Sequence, residues 1–189
     1  MKTKSNTGNV IRLSVAQALS MTTMNVNIIN TALVGSLLSP LPWLATLGLS
    51  LQFVTSMVTT LPASLLMVKF GRRPIFIAGV LIAAGATFTQ GIAILFMNFE
   101  LFCVASMSLG IAQGCAGFYR YAAADSAEGS QKPRAISYVL AGGLLAAFLG
   151  PEIARNAVGL VPGHLYAGCF FSIALVQVFS LVTLIGVDI

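Results

Sequence analysis

Long apolar stretches and short polar breaks alternate along this chain. Apolar runs of similar length fall at about 13–37, 43–68, 75–96, 100–119, 135–158 and 165–187, the fifth of them carrying Glu152 and Arg155. The breaks are SPLP at 39–42, KFGRRP at 69–74, FMNFE at 96–100, a longer polar stretch at 120–134 and VPGH at 161–164. A bilayer core takes about 20 apolar residues per helix. The pattern therefore predicts an all-α integral membrane protein, with a short segment 1–12 followed by a six-transmembrane-helix bundle over 13–189. Composition agrees: 57% of the 189 residues are apolar and 8% are charged, with a mean hydropathy of +0.92. A soluble domain would carry about a quarter charged residues.

Charge placement sets the expected orientation. Lys2, Lys4 and Arg12 precede the first run, Lys69, Arg72 and Arg73 follow the second, and Arg120, Lys132 and Arg134 lie between the fourth and fifth. With six alternating helices these nine cations share one side, and Arg155 alone falls on the other. Positive residues favour the cytoplasmic side, so both termini and a two-residue turn at 69–73 are expected in the cytoplasm, as in a bacterial inner-membrane protein. The partners implied are the lipid bilayer and a small-molecule solute. No basic stripe with interleaved aromatics points to nucleic acid.

Polar residues within the runs are the candidate chemistry. At 100° per residue, Gln17, Ser20, Thr23, Asn27, Asn30 and Thr31 fall within an arc of about 140° on the first helix. Asn25 and Thr22 fall off that stripe, and nothing in the sequence explains them. Gln52, Thr55, Ser56, Thr59 and Thr60 occupy the second helix, while the third and sixth are almost wholly apolar apart from Thr87, Thr89, Gln90 and Gln177. Amides in lipid must face protein or water. Two readings follow: a water-filled cavity, favoured by the number of groups in one arc, or interhelical hydrogen bonds that hold a bundle together. The cavity reading selects Gln17, Ser20, Thr23, Asn27, Asn30, Thr31, Gln52, Thr59 and Gln113, and a lining with few charges suits a neutral or amphipathic solute.

Small residues mark close helix contacts. Ser106, Gly110, Gln113 and Gly117 share one face, as do Gly143, Ala147, Gly150 and Ala154. Pro151 removes a backbone hydrogen bond and makes Gly150–Pro151 a candidate hinge. Glu152 and Arg155, three apart, can pair on one face; the alternative is a proton or substrate site. Asp125, Glu128 and Lys132 are expected in a solvated loop. Cys103, Cys115 and Cys169 all lie in apolar runs and read as small buried hydrophobes, although Cys103 and Cys169 could bridge if both lay near one membrane face. No metal-ligand spacing, phosphate loop or catalytic motif is present, so no cofactor and no enzyme activity are expected.

The segment after the second helix resembles the signature loop of the major facilitator superfamily, Gly-x-x-x-Asp-(Arg/Lys)-x-Gly-(Arg/Lys)-(Arg/Lys). Lys69, Gly71, Arg72 and Arg73 match it, Ser64 stands in place of the Gly and Val68 in place of the Asp. GIAQG at 110–114 resembles the family's Arg-x-x-Gln-Gly, with Gly110 replacing the Arg. AAFLGPEIAR at 146–155 resembles Gly-x-x-x-Gly-Pro-x-x-Gly-Gly, matched at Gly150 and Pro151. The resemblance implies two inverted three-helix repeats, about 13–96 and 100–187, forming one half of a twelve-helix transporter. It also implies a cavity lined by the first, second, fourth and fifth helices, and alternating access latched by the 69–73 loop. A chain of six helices would then need a C-terminal six-helix half or a second copy, and the small-residue face of helix five would be left exposed for that partner.

Secondary transport of a small solute is thus the leading expectation. A non-transporting membrane scaffold or assembly partner is the alternative, and it has no evident need of Gly71 between the cations. A membrane enzyme working at 119–134 is a third reading.

Overall fold

The computed structural model describes residues 6–126 and 132–187. Among these residues every regular element is helical: α1 (Asn6–Leu38), a 3-10 turn (Pro42–Leu44), α2 (Leu47–Phe70), α3 (Arg72–Leu95), α4 (Phe99–Ala116), α5 (Tyr119–Asp125), α6 (Lys132–Ala157) and α7 (Ala167–Ile185). The six long helices fall on the six apolar runs. Five of the spans are long and apolar enough to cross a membrane. The exception is α1, whose 33 residues reach about 50 Å at 1.5 Å per residue but whose polar arc lowers its hydropathy. It begins at Asn6, so the described part of the expected N-terminal segment is helical.

Local signals set the helix ends. Asn98 caps α4, its side-chain oxygen accepting from the Leu101 amide at 2.9 Å, in the role Asn plays at a helix start. Gly71 alone separates α2 from α3, so the expected two-residue turn is one residue long. Its φ of +86° and ψ of 164° lie in a region open essentially to glycine.

The helices run alternately up and down. One core cluster joins Val10 and Leu13 of α1, Met67 of α2, Phe76 of α3, Tyr119 of α5, Val139 of α6 and Leu184 of α7. A second, at the opposite end, joins Val34, Ile94, Phe102, Ala154, Ala167 and Phe170. Edge-on aromatic pairs sit in both, Phe76–Tyr119 at 4.7 Å and Phe102–Phe170 at 5.6 Å. The most extensive helix pairings are α1 with α6, α2 with α4, α3 with α7, α3 with α4, and α1 with α7. This makes α1, α3, α4 and α7 the centre of the bundle, with α2 and α6 at its sides. Of their apolar stretches only 17% is buried in α2 and in α6, against 44, 50 and 44% in α3, α4 and α7.

The small residues sit where helices touch, but they face inward. A Cβ on Gly142 of α6 would lie 2.5 Å from the Ser14 carbonyl oxygen of α1, and one on Gly150 would lie 2.8 Å from Asn25 Cβ. Gly150 and Ala154 are buried and Ala147 is exposed. Of the small-residue face of helix five, Gly143 and Gly150 therefore pack on α1 and Ala154 is buried, so only Ala147 is left open for a partner. The exposed face of α6 carries Tyr138, Leu144, Leu145 and Phe148 instead.

Segment 119–125 corrects a second expectation. It is helical, with Tyr119, Ala122 and Ala123 buried, because its alanine-rich face packs on α1 and α6. Glu128 lies outside the described residues. All three cysteines are free and buried; Cys169 instead points its thiol at the Ala154 carbonyl, 3.4 Å away, so no Cys103–Cys169 bridge forms.

Candidate functional site

The nine polar candidates divide by whether they have partners. Asn27 is fully buried and donates to Gln90 Oε1 at 3.0 Å; Gln90 in turn donates to Ser106 Oγ at 3.0 Å, and Ser106 to the Phe102 carbonyl at 2.8 Å. Thr31 donates to Asn27 Oδ1 at 3.1 Å. Thr23 accepts from Gln177 Nε2 at 2.9 Å, and Asn30 donates to the Val26 carbonyl at 2.7 Å. In this conformation each of these four candidates makes a hydrogen bond inside the bundle, and the Asn27–Gln90–Ser106 chain and the Gln177–Thr23 bond tie α1 to α3, α4 and α7.

The other five, Gln17, Ser20, Gln52, Thr59 and Gln113, make no side-chain hydrogen bond among the described residues. Gln52 is the extreme case. It is 0% exposed, and neither its Nε2 nor its Oε1 has a partner. Gln113 is half-buried with Nε2 shut away and unpartnered. Each such group forgoes about 1–3 kcal/mol relative to a satisfied one; Arg72 Nη1 on α3 and Ser180 Oγ on α7 are buried without a partner in the same way.

Three residues that the sequence left without a role become legible here. Gln90 and Gln177, isolated amides in otherwise apolar helices, are the partners of the α1 arc, Gln90 accepting from Asn27 and Gln177 donating to Thr23. Asn25, off the stripe, donates to the Ala146 carbonyl of α6 at 3.0 Å. An amide that leaves the polar stripe of one helix can serve a second neighbour.

Removing Asn27 should therefore register first in stability. Interhelical hydrogen bonds in membranes average about 0.6 kcal/mol and reach about 1.7. Asn27→Leu is expected to lower the melting temperature, and Asn27→Leu/Gln90→Leu to cost less than the two single changes summed. Additive losses in a thermal-unfolding series would show that the two amides are not coupled.

The charged end is built around the α2–α3 junction. Arg72 pairs with Asp125 of α5 at 2.5 Å, the side chains 31 and 59% exposed. With Val68 in the acid position of the loop and 86% exposed, the guanidinium takes its carboxylate from α5. Asp125 is thus an ion-pair partner rather than part of a solvated loop. Arg73 donates to the Ile185 carbonyl at the end of α7, and the Arg12 guanidinium lies against Gly186. Cations near a helix C-terminus are electrostatically favourable. Lys69 stands over the Phe70 ring at 5.2 Å. Gly71 is required by its backbone angles alone, so it does not separate a transporter from a scaffold.

At the opposite end, Glu152 and Arg155 pair at 2.7 Å on the exposed side of α6, with Asn156 also donating to Glu152. Asparagine and arginine hydrogen bonds outfit the carboxylate on one exposed turn. The helix is continuous through Pro151. No cluster of three metal-ligating side chains occurs among the described residues.

No protein-family model and no solved structure matches the chain. It is similar to the riboflavin transporter RfnT of Brucella anthropi, 36% identical over 173 residues. That alignment covers 92% of this chain and 44% of the relative, so the chain spans less than half of the relative's length. Together with five apolar membrane-length helices, this similarity makes the chain an integral membrane protein related to a transporter.

Proposed function

We propose that this chain forms one half of a secondary transporter of major facilitator type, which carries a small solute by alternating access. The observation that carries the proposal is the similarity to a riboflavin transporter over 92% of the chain. The packing supports the inverted-repeat reading. Exchanging α1 with α4, α2 with α6 and α3 with α7 turns the α1–α6 pairing into α4–α2 and the α3–α4 pairing into α7–α1, and leaves α3–α7 unchanged. The scarcely buried α2 and α6 are the faces for a C-terminal six-helix half or a second copy. The clustered cations at the α2–α3 junction support a cytoplasmic position for that end, in a bacterial inner membrane.

The solute is of the riboflavin class: a molecule with a planar, hydrogen-bonding ring and a hydroxylated chain. Neutral amides and hydroxyls suit such a solute better than charged side chains would. Gln17, Gln52 and Thr59, whose side chains have no hydrogen-bond partner here, are its contacts, reached when the halves rock. Four other polar residues of the arc, Thr23, Asn27, Asn30 and Thr31, hold the bundle itself.

Lys69, Gly71, Arg72 and Arg73 act as the cytoplasmic latch, and Gly150, Pro151, Glu152 and Arg155 as the bend of α6. A partly exposed ion pair is worth about 0–1 kcal/mol, so Asp125→Arg should barely change thermal stability. Solute uptake is expected to fall, and the reversed pair Arg72→Asp/Asp125→Arg to restore part of it. Uptake unaffected by Asp125→Arg would remove the latch from the mechanism.

A further inference from the structure

Where α1, α3, α4 and α7 meet, the bundle holds a small, partly open cavity of about 10 Å³. Its polar wall is Ser20 and Thr23 of α1, Gln113 of α4, Tyr119 of α5 and Gln177 of α7; Ala83 of α3 is part of the apolar wall. A space of this size is about one water probe, too small for any organic solute.

The lining has hydrogen-bonding capacity left over. Gln113 Nε2 is shut off from solvent and has no acceptor. The Ser20 hydroxyl makes no hydrogen bond among the described residues, and Thr23 Oγ1 accepts from Gln177 while its own proton has no acceptor among them. The group that needs a partner most is a donor, so the occupant must offer a lone pair. A metal cation offers none, and no carboxylate lines the wall. A water accepts from the amide and exchanges hydrogen bonds with the hydroxyls, which gives it the two to four polar partners that buried waters have.

We propose that this cavity is a binding site for one ordered water, held by Gln113 on α4 and by Ser20 and Thr23 on α1. The water joins two helices that touch each other little directly, and under the exchange of repeats α1 and α4 are equivalent. The site does not depend on what the protein transports.

Radiolytic hydroxyl labelling of the 189-residue chain in lipid nanodiscs tests it, since an ordered water generates radical beside the buried side chains it touches. Tyr119 is 2% exposed and lines the cavity; Tyr138, which is 64% exposed, is the control. Tyr119 is expected to be oxidised in the parent despite its burial. Gln113→Leu, which removes the amide, and Ala83→Val, which fills the space from the apolar wall, should each largely abolish that labelling, with Tyr138 unchanged. A Tyr119 protected in the parent, or oxidised equally in a folded variant, overturns the site. Should Gln113→Leu not fold, Ala83→Val and the parent decide it.

Discussion

Gly110→Val is expected to abolish accumulation of folded, monodisperse protein, whereas Gly85→Val should leave yield and elution profile unchanged. A Cβ at position 110 would collide with Thr55 Oγ1 and with the Gln52 carbonyl oxygen of α2. Neither can give way. The carbonyl is backbone, and the Thr55 hydroxyl is held against Leu51, Gln52 and Met107 carbonyl oxygens at 2.8, 3.0 and 2.9 Å. The helices would have to separate, breaking the Thr55–Met107 contact between α2 and α4. Overpacking typically costs about 1–3 kcal/mol, more against rigid neighbours, a large part of a total stability of about 5–15 kcal/mol. Gly85 has nothing within 4 Å of its added Cβ. Size-exclusion profiles of both variants in mild detergent make the comparison. Folded Gly110→Val protein would mean that the α2–α4 approach is not fixed by this glycine.

Gln52→Met is expected to raise stability and lower transport. The amide is wholly enclosed, with both ends unpartnered. An apolar side chain of similar length relieves about 1–3 kcal/mol per unsatisfied group. For a protein of this size each kcal/mol is about 2–4 °C in melting temperature. If Gln52 contacts solute when the bundle opens, uptake should fall about tenfold, equivalent to about 1.4 kcal/mol of lost solute interaction. Gain in stability with loss of function marks a group kept for binding rather than packing. A lower melting temperature with unchanged uptake would mean that Gln52 is structurally satisfied and not a solute contact.

The long helices were legible because lipid enforces one signal over about 20 residues, and all six apolar runs carry a helix. What escaped the sequence depends on pairing at a distance. The α1 arc at Thr23, Asn27 and Thr31 reads as a cavity lining rather than as glue until Gln90 and Gln177 are seen opposite it. The Arg72 partner is Asp125, over fifty positions away, in a stretch whose short helix forms only because Ala122 and Ala123 pack on other helices. Gly150 and Ala154 were recognisable as a contact face, but a period gives no direction, and the face meets α1. Isolated glutamines in apolar helices were the overlooked clue, since an amide in lipid needs a partner.

Riboflavin uptake is the most direct test of the central claim. A riboflavin-requiring bacterium would produce the chain alone, and also within the Brucella anthropi transporter in place of the part it matches. The account predicts saturable riboflavin uptake in at least one of these forms, reduced by Gln52→Met. Membrane-inserted, monodisperse protein that gives no uptake in either form would contradict it.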